Sequence, residues 1–333
     1  IVLACLGGSL FLALSGYRLI QLRPHLFTIL ACLLLYRWLI EPGQPPSRGR
    51  IIASIVLLGL WANLHASFLL GPILLGAALG GLTLAMLVDA GENRQKWLAR
   101  AKPLALVFLL GSLATLINPT GFEQHFAYLA AGAETPSLDR VADEWTRFSP
   151  FSLPPPRVPP SPLVWVLLWF LIVATPVLAL LGVRKSTGEP APLWNRNSAD
   201  PALIGIAGVS LLGALVAVRF IWLGFFPLLL LTAYLGIRGS TPSRKRGPHE
   251  VWAATVTCLL VPFFFTLGPW PMMSGMLPTS PSAYTLPYPT AKYHAGAIFL
   301  LADSEVEGTL FADYYLSGFS GYWLSPRVQS FVN

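Results

Sequence analysis

Apolar residues run along this chain in blocks at about 1–17, 25–40, 51–88, 103–117, 162–183, 201–237 and 251–268, and nearly all the charge falls between them. Blocks of that size approach the ~20 residues an α-helix needs to cross ~30 Å of hydrocarbon. Two are too long for one crossing. At 1.5 Å per residue, 201–237 would reach ~55 Å as a single helix and 51–88 about the same, so each is read as a hairpin of two spans. The second hairpin turns at Arg219, the only charge in its block. In the first, the polar cluster Trp61-Ala62-Asn63-Leu64-His65 marks the turn. An arm from 51 to that turn spans ~18 Å, which would leave Asn63 and His65 below the membrane surface.

After Gly268 the pattern changes. Pro and Ser fill 269–290, and a compact stretch then reads helix (about 291–302), strand (309–312), helix, strand (328–332). The expected fold class is an all-α polytopic membrane protein of about 9 transmembrane helices with a small C-terminal α/β element on the outer face. Its domains would be 1–268, helical and carrying an outer loop at 118–161, and 269–333 outside. That loop holds a proline-rich stiff lead at 150–161 and a short interfacial helix near 122–133. The chain opens on Ile1-Val2-Leu3 with no initiator Met, n-region or cleavage site, and it stops in mid-strand at Asn333. The expectation is a piece of something longer.

Composition agrees with lipid as the main solvent: 54% of the 333 residues are hydrophobic and 11% charged, against roughly a quarter charged in soluble domains. The net charge of +7 would suit nucleic acid, but Lys and Arg sit in short loops between apolar blocks and form no basic stripe. Nucleic acid is therefore not an expected partner. Cys5, Cys32 and Cys258 lie within apolar spans, where a thiol acts as a small hydrophobe.

Loop charge sets the orientation, because Lys and Arg are retained on the cytoplasmic side. Alternating nine spans places 37–50, 89–102, 184–200 and 238–250 together, with 14 of the 22 basic residues and 6 of the 15 acids. The opposite side holds 8 basic and 9 acidic residues. The first side is cytoplasmic, marked by Arg244-Lys245-Arg246, and the second, with the C-terminal segment, lies outside. Arg18 and Arg23 on the outer side run against the trend.

The outer face carries the candidate chemistry. Arg23-Pro24-His25 opens the second span, and an Arg beside a His suits a phosphate oxyanion; a snorkelling arginine before a helix-starting proline explains the same residues. Asn63 and His65 either line a water-filled substrate cavity or bond to neighbouring helices. Arg219 binds a lipid phosphate or snorkels. Among the outer carboxylates Glu123, Asp143 and Glu144, the candidate base for an acceptor hydroxyl is Glu144, with Asp143 beside it, because Trp145 could partly bury it and raise its pKa. Asn118-Pro119-Thr120-Gly121 reads as a helix terminator. Asp313 with Tyr314-Tyr315 suits either core packing or stacking on a sugar. There is no P-loop, G-x-S-x-G, H-E-x-x-H or paired Cys-x-x-Cys, and no metal site is expected.

Taken in order, Arg23-Pro24-His25-Leu26-Phe27-Thr28, Leu60-Trp61-Ala62-Asn63-Leu64-His65 leading to Gly71, Leu116-Ile117-Asn118-Pro119-Thr120-Gly121 and Glu144-Trp145 resemble uncharacterised bacterial membrane proteins related to GT-C glycosyltransferases. Gly308-Thr309-Leu310-Phe311-Ala312-Asp313-Tyr314 through Gly318, with Val328 to Val332, is similar to the outer domain that follows their last spans. The resemblance implies a transferase of the bacterial inner membrane whose donor is a polyprenyl-phosphate-linked sugar. It implies a signature acid in the first external loop, and nothing in residues 1–22 matches that motif, so this acid is expected upstream of residue 1.

Two other readings compete. An O-antigen ligase or polymerase type enzyme also uses external Arg and His, without an initiating carboxylate. A transporter or flippase of lipid-linked saccharide would show broken helices at matching positions of two halves. The sequence shows such a break at 61–65 and no partner for it.

Overall fold

A computed structural model describes residues 7–12, 14–15, 19, 25–88, 92–127, 148–149, 151–152, 162–184, 200–239, 249, 252–253, 255–256, 294–312 and 314–332. These are mostly helical, with one small two-stranded sheet. Helix α1 (His25–Leu35) continues through a π-turn at Tyr36–Ile40. Helix α2 (Arg48–Leu64) is followed by a 3-10 turn (Ala66–Leu69) and α3 (Leu70–Val88). Then come α4 (Glu92–Ala114), α5 (Pro162–Arg184) and α6 (Pro201–Val216), and a second 3-10 turn (Val218–Gly224) leads into α7 (Phe225–Gly239).

Two boundaries differ from those read off the apolar pattern. Helix α2 starts three residues before the apolar block, where the Ser47 hydroxyl accepts the Arg50 N–H. Its 17 residues span about 25 Å rather than ~18 Å. Helix α4 starts at Glu92, inside the stretch assigned to a cytoplasmic loop. Its Glu, Arg, Gln, Lys, Leu and Ala are strong helix formers, and Trp97, Arg100 and Ala101 in that stretch are buried.

Ala66–Val88 and Asn93–Ala114 are the two helices, among the described residues, long and apolar enough to cross a membrane. His25–Ile40, Val164–Leu178, Pro201–Val216 and Val218–Tyr234 are apolar but shorter. The described residues thus hold two helices of spanning length, against about nine spans expected from block lengths along the whole chain, of which the blocks at 1–17 and 251–268 lie largely outside the described residues. One reason is that a hairpin consumes residues in its turn, as at 65–69 and 217–224.

Helices α3 and α6 meet backbone to backbone. A methyl group added at Gly81 would lie 2.0 Å from the Pro201 carbonyl oxygen, and one at Gly205 would lie 2.0 Å from the Ala77 carbonyl oxygen. Ala77 and Gly81 are one turn apart, as are Pro201 and Gly205. Each helix thus offers a small-residue strip to the other, the arrangement that lets helices approach closely where no hydrophobic drive separates lipid from protein. Ala78, Leu82, Ala202, Ile206 and Ala207 close the seam, all buried. Leu58 of α2 is held between Gly71 of α3 and Gly111 of α4.

Far from the helix breaks, Arg100 of α4 is buried and pairs with Asp200 at 2.8 Å. Its guanidinium also approaches the Ile40 carbonyl at 3.4 Å. The other Asp200 oxygen accepts the Ala202 N–H at 2.8 Å and caps α6, with Pro201 in its first turn. This ties the end of the π-turn, the N-terminal half of α4 and the start of α6 together.

Near the C-terminus, α8 (Ala295–Asp303), β1 (Gly308–Ala312), α9 (Tyr314–Leu324) and β2 (Val328–Val332) form a βαβ unit with a preceding helix. The strands pair in parallel with Gly308 opposite Val328 and Ala312 opposite Val332. Parallel pairing needs a crossover, which α9 supplies. Ile298, Leu324 and Val328 make its core, and Arg327 donates to the Ser304 and Ala302 carbonyls at the end of α8.

If the α3–α6 seam organises the bundle, Gly81→Ala will lower the thermal midpoint in detergent, at a cost of about 1–3 kcal/mol or more from overpacking. Gly80→Ala, whose added methyl meets nothing within 4 Å, will be neutral or gain up to about 1 kcal/mol from helix propensity. Equal midpoints for the two variants would show that the seam does not bear on stability.

Candidate functional site

Both hairpins break in the same way. His65, between α2 and the first 3-10 turn, has φ −159° and ψ 138°. Ala217, between α6 and the second, has φ −155° and ψ 143°. At the first break the His65 imidazole replaces the lost helical partner, its Nδ1 accepting the Ser67 N–H at 3.2 Å. Ala217 has no side chain able to do this, and its own N–H bonds back to Gly213. The partner break that the sequence did not reveal is therefore present at 217–224.

The two breaks and the start of α1 line a small pocket, open on one side, with about 20 Å³ of room for a water-sized sphere, among His25, Thr28, His65, Ser67, Leu70, Arg219, Phe220 and Trp222. Three residues expected from sequence to bind substrate or a lipid phosphate, His25, His65 and Arg219, come together here from α1 and the two hairpins. Thr28 and Ser67 were not singled out. Thr28 lies three residues after His25 and so shares its helix face, a signal visible in the spacing. Ser67 follows His65 by two, which has meaning only once the helix is known to break there.

The pocket's polar atoms form a network. The Thr28 and Ser67 hydroxyls are hydrogen-bonded to each other. The Ser67 hydroxyl lies 2.5 Å from His65 Nδ1, and the Thr28 hydroxyl 3.2 Å from the same atom. Because Nδ1 accepts a backbone N–H, it carries no proton in the neutral ring. The neutral imidazole then keeps its proton on Nε2, a tautomer set by the hydrogen-bond network.

The electrostatics have one sign. The first turn of α1 and the two 3-10 turns are N-terminal ends of helical segments, where unpaired N–H groups and the macrodipole favour an anion. Arg219, the fixed cation, and two histidines sit at the same ends, and no carboxylate is among the described residues lining the pocket. Burial, then the charges of Arg219 and His25, hold the His65 imidazole below the usual histidine range; His65 itself lies in the gap between α2 and the Ala66–Val88 span.

The remaining candidates fall elsewhere. The Asn63 amide does not line the pocket; it donates to the Gly59 and Ile117 carbonyls at 2.9 and 2.7 Å, clamping the end of α2 to the segment after α4. Asn118 closes its turn as a terminator, accepting the Thr120 N–H and donating to the Thr115 and Gly121 carbonyls, with Gly121 at φ +56°. Glu123 is exposed at the head of a short helical segment whose Gln124 and His125 bond to the Ala62 carbonyl and the Thr115 hydroxyl. Arg23, Asp143, Glu144 and Asp313 lie outside the described residues, as do the side chains of Tyr314 and Tyr315. Comparison with protein-family models, curated proteins and solved structures found no match.

An anion in the pocket would offset the two charges acting on His65 and so raise its pKa. By linkage, anion and proton uptake are positively coupled. A farnesyl methyl phosphodiester, whose own charge is constant over the range, should bind more tightly as pH falls through the lowered His65 pKa. Calorimetric titration of wild type and His65→Asn between about pH 8 and about pH 5, which brackets ordinary histidine titration, would measure this. The His65-dependent part of the slope must vanish in the variant, and an unchanged slope would refute the coupling.

Proposed function

We propose that this chain is the membrane core of a GT-C-like glycosyltransferase, taking a sugar from a polyprenyl-phosphate donor at the outer face of a bacterial inner membrane. The observation that carries this reading is the pocket in which Arg219, His25 and His65 meet at three helical N-terminal ends. A sugar phosphodiester with a hydrocarbon tail is an anion that reaches such a site from lipid. The guanidinium, helix dipoles and a histidine N–H would hold the phosphate and stabilise it as the leaving group, whose charge grows as the bond to the sugar breaks.

Three further features support the membrane setting. Ile52, Val56, Leu60 and Leu64 make an exposed apolar row along α2, and Val166, Phe170, Val173 and Val177 another along α5, faces that suit lipid rather than water. The basic stretches within 37–50 and 92–102 lie toward the end of the bundle where Arg100 meets Asp200 and Ile40, away from the pocket. Helix α1 and its π-turn, running from His25 to Ile40, separate the two ends by about 24 Å.

The matched breaks favour one second reading, a flippase for the same lipid-linked saccharide, since transporters form substrate sites from discontinuous helices in paired halves. Membranes carrying the full gene product, supplied with radiolabelled polyprenyl-phosphate hexose, separate the two. Transfer predicts release of polyprenyl phosphate, and Arg219→Gln should weaken donor binding about 10–100-fold, the worth of a charge-assisted hydrogen bond. Arg37→Gln, at an exposed position at the far end, should have no effect. Flux across proteoliposomes without covalent turnover would favour the flippase, and wild-type transfer by Arg219→Gln would remove the pocket from either.

Orientation has its own check. Single cysteines placed in the Arg244-Lys245-Arg246 stretch and after Gly308 should label from opposite sides of sealed vesicles. Labelling of both from one side would overturn the assignment.

A further inference from the structure

The polar atoms that His65, Ser67 and Thr28 bring together hold more hydrogens than they can accept. The lone pair of His65 Nδ1 takes the Ser67 N–H. The Ser67 and Thr28 hydroxyls bond to each other, and two hydroxyls in contact place a single hydrogen between their oxygens. The second hydroxyl hydrogen is then left without an acceptor in the trio, because the Nδ1 that lies within 3.2 Å of both oxygens is already engaged. The same pocket holds the Arg219 guanidinium, which only donates, and the Nε2–H of the neutral His65 ring. An excess of donors around one space suits an acceptor within it, and beside a fixed cation the strongest acceptor is an anion.

Size narrows the occupant. The pocket has about 20 Å³ of room for a water-sized sphere, and one water needs roughly 10–15 Å³ of such room. A tetrahedral phosphate does not fit whole. A single anionic atom does, either one phosphoryl oxygen of a diester whose other atoms stay at the open side, or a chloride ion. Leu70, Phe220 and Trp222 complete the lining, and their apolar surface strengthens the pull of the guanidinium on an ion. We propose that this niche is a halide site, in which chloride takes the place of one phosphoryl oxygen of the lipid-linked donor. The shared place rests on the transferase reading above; the halide site itself does not. Chloride is then a competitor of the donor, and donor binding falls as chloride at the outer face rises.

The hydrogen count gives the site its own signature. Removing either hydroxyl, by Thr28→Val or Ser67→Ala, removes the bond between them and leaves one hydroxyl hydrogen still free for an anion. Removing both leaves none. The full gene product in detergent, with each variant matched for folded protein, is titrated with sodium chloride alone and followed by chlorine magnetic resonance line broadening. Sodium chloride is then exchanged for sodium iodide, so that ionic strength stays constant. Iodide is larger and more weakly hydrated, so it is preferred on open surfaces and disfavoured in a niche of this size. The farnesyl methyl phosphodiester serves as the competing phosphate, and Arg37→Gln, exposed at the far end, as the control for loss of a charge.

Wild type and Arg37→Gln should broaden the chloride resonance saturably, prefer chloride to iodide, and lose the broadening as the diester is added. Each single hydroxyl variant should bind chloride nearly as wild type does. The double variant should bind it about 10–100-fold more weakly, the worth of one hydrogen bond to an ion, and Arg219→Gln at least as weakly. A preference for iodide, or broadening that persists in both Arg219→Gln and the double variant, would overturn the site in favour of surface association. Losses in the two single variants that sum to that of the double would overturn the donor count behind it. Chloride binding that the bound diester leaves unchanged would overturn the shared place. Chloride binding as expected in a wild type that binds no diester would uphold the halide site while the transferase reading fails.

Discussion

The bundle is organised by one close approach, that of the α3 and α6 backbones at Gly81 and Gly205. Where lipid rather than water surrounds helices, burying apolar side chains between them yields little, and helix association depends on packing and polar contacts. Small residues let the two main chains meet without side chains between them. Gly81 lies 11 residues after Leu70 and Gly205 lies 11 residues before Val216, each about 16 Å of helix. The seam therefore holds the two helix breaks at one height, which is why the His65 turn and the Arg219 turn face a common pocket.

The pocket concentrates charge of one sign at a cost. Cations at helical N-terminal ends oppose the macrodipole, and histidine beside arginine opposes protonation. On the reading proposed above, the phosphate of a lipid-linked sugar would offset that charge. The opposite end of the bundle obeys ordinary rules: Asp200 caps α6 and pairs with Arg100, so a carboxylate sits at an N-terminus and a buried guanidinium has its counter-ion.

Polar residues near the two breaks divide by what their neighbours leave unbonded. Asn63 and His65 are two positions apart, yet the first clamps backbone carbonyls and the second joins the pocket. On sequence grounds both suited either role. The choice is made by helix phase: α2 is still helical at Asn63, whose amide reaches back one turn to Gly59 and across to Ile117, whereas His65 is already extended and caps the 3-10 turn at Ala66–Leu69.

Block length, isolated charge and turn chemistry were enough, read along the chain, to reveal a helical protein, both hairpin turns, the Asn118 terminator, the order of elements in the C-terminal unit, and His25, His65 and Arg219 as residues of interest. Those features are local, each set by a few neighbouring residues and their propensities. Tertiary structure alone decided that His25, His65 and Arg219 share a pocket and that Ser67 joins them. Each of these depends on which surfaces of distant helices meet, and a one-dimensional pattern holds no record of a carbonyl oxygen 2.0 Å from where a missing methyl group would be.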